Sequence, residues 1–131
     1  MNFHVYMKAD QRSPVSVDWD FSPMLGIWYN THPDTRYFVK IAIAADQGYL
    51  AVNPFGSNDG PPIEWGAVRA EHFGSGHSLK SGGFKASYLK DGIETLLAAN
   101  LKLGVLVIQS YTFYGDGSGR ASHYSREFFH R

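Results

Sequence analysis

No stretch of this chain carries the 3.6-residue hydrophobic period of an amphipathic helix. Apolar and polar residues instead alternate almost throughout, in short runs cut by Gly, Asn, Asp and Pro. Tyr37 to Ala45 is the clearest run, with Tyr37, Val39, Ile41 and Ile43 on one face and Lys40 on the other. Asp46-Gln47-Gly48 turns the chain into Tyr49 to Phe55, and the breakers of Gly56 to Pro62 form a loop. Ile63 to His72 reads as the next strand and Gly74 to Gly83 as a glycine-rich loop. Phe84 to Leu89 alternates again, and Lys90-Asp91-Gly92 is a hairpin signal of the Asp-Gly type. Ile93 to Ala99 follows as a strand, with a short helix as the alternative, and Asn100 sits at a turn. Leu103 to Tyr114, a Gly115–Gly119 turn and Ser122 to His130 complete the chain.

Short strands joined by short turns pair with their neighbours in sequence. The expectation is an all-β fold: a single antiparallel up-and-down barrel of eight strands, counted from Trp28, with an N-terminal extension. Closure removes the unpaired edges that an open sheet would expose. Residues 1–25 are expected to form the extension and plug, and residues 26–131 the barrel domain. Within the extension, Phe3 to Lys8 alternates weakly and reads as an additional strand. Asp18 to Leu25 reads as a short 3₁₀ turn that plugs one barrel end with Trp19, Phe21 and Leu25.

Charge and composition narrow the partners. Twelve Lys and Arg balance 12 Asp and Glu, and the basic residues are scattered, so no nucleic-acid partner is expected. With no cysteine, disulfides and thiolate metal sites are excluded, which favours a reducing compartment. Met1 to Gln11 lacks an apolar core of signal-peptide length. Leu101 to Ile108 falls far short of the ~20 residues of a membrane helix. A soluble, cytoplasmic protein with no membrane span is the expectation.

Phe21-Ser22-Pro23-Met24-Leu25-Gly26-Ile27-Trp28-Tyr29 resembles the first lipocalin motif, a short turn followed by Gly-x-Trp on the first strand. The resemblance implies that Gly26 lets the turn pack closely, that Trp28 fills the closed barrel base, and that an arginine of the last strand lies across the indole. Arg126, in Tyr124-Ser125-Arg126-Glu127-Phe128, holds the matching place. The middle of the chain departs from the lipocalin pattern, and what the resemblance implies more broadly is a calycin-like barrel. Thr35 to Ile41, Trp65-Gly66 and Gly115 to Arg120 also look like small bacterial β-domains, a likeness that implies no activity.

Among the six histidines none forms a His-x-His or His-x₃-His pair with a nearby carboxylate, and Glu71-His72 face opposite ways on a strand. No metal and no cofactor is expected. Neither glycine-rich loop leads into a helix, so neither has the geometry of a phosphate cradle. No Gly-x-Ser-x-Gly elbow presents a nucleophile. The aromatic alternation is more informative. Tyr37, Val39, Trp65, Tyr88, Gln109, Tyr111 and Tyr124, together with Asn30 on the first strand, are expected to line a ligand cavity opposite the Trp28 end. Asp34 and Arg36 in the following loop are candidate gatekeepers, with an ordinary local ion pair as the alternative.

The expected function is binding of a small hydrophobic or amphipathic molecule inside this barrel. One alternative is a cofactor-free isomerase or cyclase acting on a natural-product-like substrate by proximity and orientation, with Tyr111, Glu127, His123 or Asp34 moving protons. Another is an oligomeric interaction or carbohydrate-binding protein that exposes Tyr49, Phe55, Phe113 and Phe129. Whether the barrel is catalytic, and whether it forms a homo-oligomer, the residues leave open.

Overall fold

Three hairpins turn on pairs of residues with positive φ: Gln47 (50°) and Gly48 (85°), Asp91 (53°) and Gly92 (79°), Leu103 (52°) and Gly104 (80°). Two left-handed central residues make a type I′ turn, whose twist matches that of the strands it joins. These turns set consecutive strands antiparallel. The computed structural model describes residues 19–131. The additional strand expected over Phe3 to Lys8 lies outside them.

The strands run β1 (Gly26–Asn30), β2 (Phe38–Asp46), β3 (Tyr49–Gly56), β4 (Ile63–Glu64), β5 (Val68–Gly74), β6 (Ser81–Lys90), β7 (Ile93–Lys102), β8 (Val105–Tyr114) and β9 (His123–His130). Their order is β2-β1-β9-β8-β7-β6-β5-β3, and β2 also pairs with β3, which closes an eight-stranded antiparallel barrel. The two-residue β4 is an extra strand laid on β3. The described residues contain no helix. Up-and-down closure is as expected, and the barrel is consistent with a calycin-like fold.

Several boundaries move. Ile93 continues as strand to Lys102, so the turn falls at Leu103-Gly104 and Asn100 pairs with Val107 inside the ladder. The strand expected over Ile63 to His72 is cut at Trp65-Gly66-Ala67, where Gly66 adopts φ 96°. In β2 the register shifts between Phe38 and Lys40. That bulge inserts one residue and reverses the side-chain parity before it. Phe38 therefore joins Ile41 and Ile43 in the core, whereas Tyr37 is 39% exposed.

The core sits in the lower half of the barrel, where Leu50, Phe84, Leu97, Leu106 and Phe129 close around Trp28. Trp28 is fully buried, and its Nε1 donates to the Met24 carbonyl oxygen at 2.9 Å. Met24 ends a tight turn closed by its own N–H on the Phe21 carbonyl and is itself fully buried. Phe21 and Leu25 pack against the same cluster. A parallel bridge between Asp20 and Lys80 fastens this segment to the β5–β6 loop. The base is thus closed by Met24 as much as by the larger side chains expected there.

Gly26 has φ 123°, and a Cβ built there would sit 3.3 Å from Cδ of Arg131. Arg131 lies with its guanidinium carbon 4.7 Å from the Trp28 ring centroid. It donates to the Leu25 carbonyl at 2.7 Å and to the Ser22 carbonyl at 3.4 Å. The arginine across the indole is therefore Arg131, just past the last strand, and not Arg126. Phe129 faces the core, so strand alternation turns Arg126 and Phe128 outward, and Arg126 lies 5.8 Å from the Phe128 ring.

Candidate ligand cavity at the barrel mouth

Above the core the inward positions become polar. On β7, β8 and β9 the side chains that continue the rows of Leu97, Ile108 and Phe129 are Thr95, Ser110 with Thr112, and His123 with Ser125 and Glu127. Thr95 and Ser110 are buried. The Ser110 and Ser125 hydroxyls, directly opposite in the ladder, are 2.5 Å apart. Glu127 accepts a hydrogen bond from Thr35 Oγ1 at 2.5 Å, which ties the β1–β2 loop to the last strand. Thr35 Oγ1 in turn accepts from the Tyr37 N–H at 3.1 Å.

The facing wall is aromatic, for a reason that lies in the pairing. Hydrogen bonding between β5 and β6 stops at Glu71–Lys85, while β6 and β7 pair on to Lys90–Ile93. The upper part of β6 thus has no β5 neighbour, and side chains fill the gap. Trp65, delivered by the β4 segment, packs edge-on against Phe38 (4.8 Å) and Tyr88 (5.3 Å). The Tyr88 hydroxyl donates to the Val52 carbonyl at 3.0 Å and lies 3.4 Å from the Gly66 carbonyl. Burial pushes the Tyr88 phenol well above its ordinary value. Asn53 fixes the approach of Trp65: its Oδ1 accepts from the Gly66 N–H at 3.0 Å and its Nδ2 donates to Glu64 at 3.2 Å. Gly56 provides room for the ring, since a Cβ there would lie 3.0 Å from Trp65 Nε1.

Between these walls a cavity of about 410 Å³ opens at the end opposite Trp28. Phe38, Trp65 and Ile93 supply its apolar side, and Thr95, Ser110 and Thr112 supply hydroxyls. Arg36, Arg120 and His123 stand at its rim. His123 lies between Tyr37 and Tyr114, with ring centroids at 5.8 and 5.7 Å. A second recess of about 430 Å³ adjoins it, sharing Trp65, Ile93 and Thr95 and extending beside Glu64, Lys90 and Asp91.

The structure brings Trp65, Tyr88 and, at the rim, Tyr37 to this end. Asn30 is inward and buried but engaged by the fold: its Nδ2 donates to the Phe38 carbonyl at 2.9 Å and its Oδ1 accepts from the His32 N–H at 2.8 Å. Val39 sits in the β2 bulge, outside the cavity lining. Gln109, Tyr111 and Tyr124 face outward, because Ile108, Ser110 and Thr112 hold the inner face of β8. Outside, Gln109 Nε2 donates to the Tyr111 hydroxyl at 2.6 Å, and the Tyr111 and Tyr124 rings lie side by side, tilted by 37°, with centroids 6.4 Å apart. Of the rings expected outside, Phe129 is 1% exposed and belongs to the core, whereas Phe113 is 57% exposed.

Sequence reasoning passed over Thr95, Ser110, Thr112 and Ser125. The available signal was parity: they follow Leu97, Ile108 and Phe129 at steps of two. Among the described residues no group of three or more His, Asp or Glu converges as a metal site. No protein-family model, no curated protein and no solved structure matches the chain.

Proposed function

We propose that this protein binds a small amphipathic molecule in the mouth cavity of a lipocalin-like barrel. The observation that carries the reading is the two-sided cavity: apolar rings on one wall, hydroxyl groups on the other, above a floor packed solid around Trp28. Small-molecule sites combine mostly apolar lining with a few placed polar groups in this way. The Gly26-Ile27-Trp28 base with an arginine on the indole supports the lipocalin-like part of the reading. The test is a titration with phenylnaphthylamine, a neutral fluorescent probe, on the native protein and on Thr112→Trp, which fills the cavity. Saturable binding that the substitution removes is the expected result. Absence of saturable binding, or binding indifferent to Thr112→Trp, sinks the reading.

The outer wall favours a second reading, self-association. Leu96, Tyr111 and Tyr124 form one cross-strand row, with Phe113 and Leu89 in the next. Tyr124 is 67% and Leu89 71% exposed, and a groove of about 660 Å³ runs along these side chains. Glu94 lies in the Leu89–Phe113 row, while Lys85 and Arg126 lie in the row on the other side of Leu96. A twofold axis along the Leu96 row sets Glu94 of one copy against the Lys85 row of the second, so the face is complementary to itself. Light scattering should give a dimer mass that Leu96→Glu halves, and a monomeric native protein rules this reading out.

A further inference from the structure

No carboxylate lines the mouth cavity, and its charged side chains are arginines. Its lining includes Arg36, Arg120 and His123 and no Asp or Glu. Arg36 makes no ion pair among the described residues. Arg120 is held in place by its own loop. Its Nη2 donates to Asp116 Oδ2 at 2.8 Å and its Nε to Ser118 Oγ at 3.0 Å, and its guanidinium carbon lies 4.1 Å from the Tyr114 ring centroid. Asp116 is fixed in turn by the Ser118 N–H at 3.0 Å. Hydrogen bonds from Ser118 hold its carboxyl down at about 2, so the clasp stays ionised. Nη1 of Arg120 has no protein partner among the described residues.

The nearby carboxylates are accounted for elsewhere. Glu127 faces inward two positions below Ser125 and is engaged by Thr35. Glu64 and Asp91 line the adjoining recess and not this cavity. Asp34 is exposed in the β1–β2 loop, outside the cavity lining.

We propose that the ligand of this cavity carries an anionic group, a carboxylate or sulfonate, held at the rim by Arg36 and Arg120, with an aromatic body set against Phe38 and Trp65. The inference rests on the ligand-cavity reading above and adds the ligand's chemical class. Guanidinium groups suit it: they stay charged, bind oxyanions through paired N–H donors, and here one is stacked on Tyr114 and so loses little freedom on binding. A neutral ligand of the same shape would leave Arg36 and the free Nη1 of Arg120 without an acceptor.

The test compares two probes that share a ring system, anilinonaphthalene sulfonate and neutral phenylnaphthylamine, each titrated against the native protein. The sulfonate should bind about tenfold tighter, as a charge-assisted hydrogen bond allows. In Arg36→Gln/Arg120→Gln, its fold confirmed by circular dichroism, that preference should fall to about twofold or less, because the charged donors are gone. Added salt should weaken the sulfonate and leave the neutral probe unchanged. Equal affinities in the native protein, or a preference that survives the double substitution, overturn the anionic assignment while leaving the cavity in place. If Thr112→Trp leaves both probes bound, the cavity reading itself fails, and the anionic assignment with it. Where Thr112→Trp does not fold, quenching by either probe that is lost in Trp65→Phe places it in the cavity, and quenching unchanged by that substitution places it elsewhere.

Discussion

Arg131 covers the indole of Trp28 from the far end of the chain, its guanidinium carbon 4.7 Å from the ring centroid, while reaching the Leu25 carbonyl at 2.7 Å. One side chain therefore joins the chain end, the first strand and the turn before it. Arg131→Ala should destabilise the barrel by about 1–2 kcal/mol, from the lost cation–π contact and the charge-assisted hydrogen bond. Arg126→Ala removes an outward side chain and should stay within about 0.5 kcal/mol. Urea unfolding of the two variants separates them, and a larger loss from Arg126 would return the clamp to the last strand.

Trp28→Ala should cost about 3–5 kcal/mol, since the side chain is fully buried and its removal leaves a large cavity. Its indole hydrogen bond to Met24 is lost as well. Gly26→Ala tests the neighbouring constraint: φ 123° is strained for any side chain, and the new Cβ meets Arg131. A loss of about 1–3 kcal/mol is expected there. Thermal unfolding that barely changes in Trp28→Ala contradicts the closed base.

The parts of this fold that were legible in the sequence are those governed by local rules. Asp91-Gly92 announces a type I′ turn, and the alternation around Ile41, Leu97 and Ile108 announces strands with one buried face. What was hidden depends on counting parity through an irregularity. The bulge at Phe38–Lys40 reverses the inner face of β2, so Phe38 points inward where Tyr37 was expected. On β8 and β9, size misled: Tyr111 and Tyr124 look like lining residues, yet the small Ser110 and Ser125 face inward and the rings lie side by side outside. The arginine on Trp28 was expected five positions early, because alternation within β9 sends Arg126 outward, and Arg131, just past the strand, covers the indole instead. The gap beside β6, which brings Trp65 and Tyr88 to the mouth, arises from the late start of β5 and has no signature in any single run.

Tyr88 gives that gap a measurable handle. Tyr88→Phe removes the donor to the Val52 carbonyl and should cost about 1 kcal/mol. Because burial raises the phenol from its ordinary 10.0, the folded protein keeps it neutral where the unfolded chain ionises it. Its contribution to stability is therefore complete below the unfolded value and declines as pH rises beyond it. Absorbance titration of the folded protein should show one tyrosine ionising later than the others, and Tyr88→Phe should remove that late step. If the same late step persists, the buried phenol belongs to another residue.

His72 makes the base sensitive to acid. It packs edge-on against Trp19 at 4.7 Å and Phe21 at 4.9 Å, and burial lowers its pKa from the ordinary 6.5. The apolar rings favour the neutral imidazole, so in mild acid the unfolded chain binds the proton more readily than the folded one. Stability from this site is therefore complete above the unfolded value and falls as pH drops through it toward the lower folded value. His72→Phe keeps a ring in the same slot and removes the titration. Urea midpoints compared at about pH 8 and about pH 5 should fall for the native protein and change less for His72→Phe. An equal fall in both proteins would place the acid sensitivity elsewhere in the barrel.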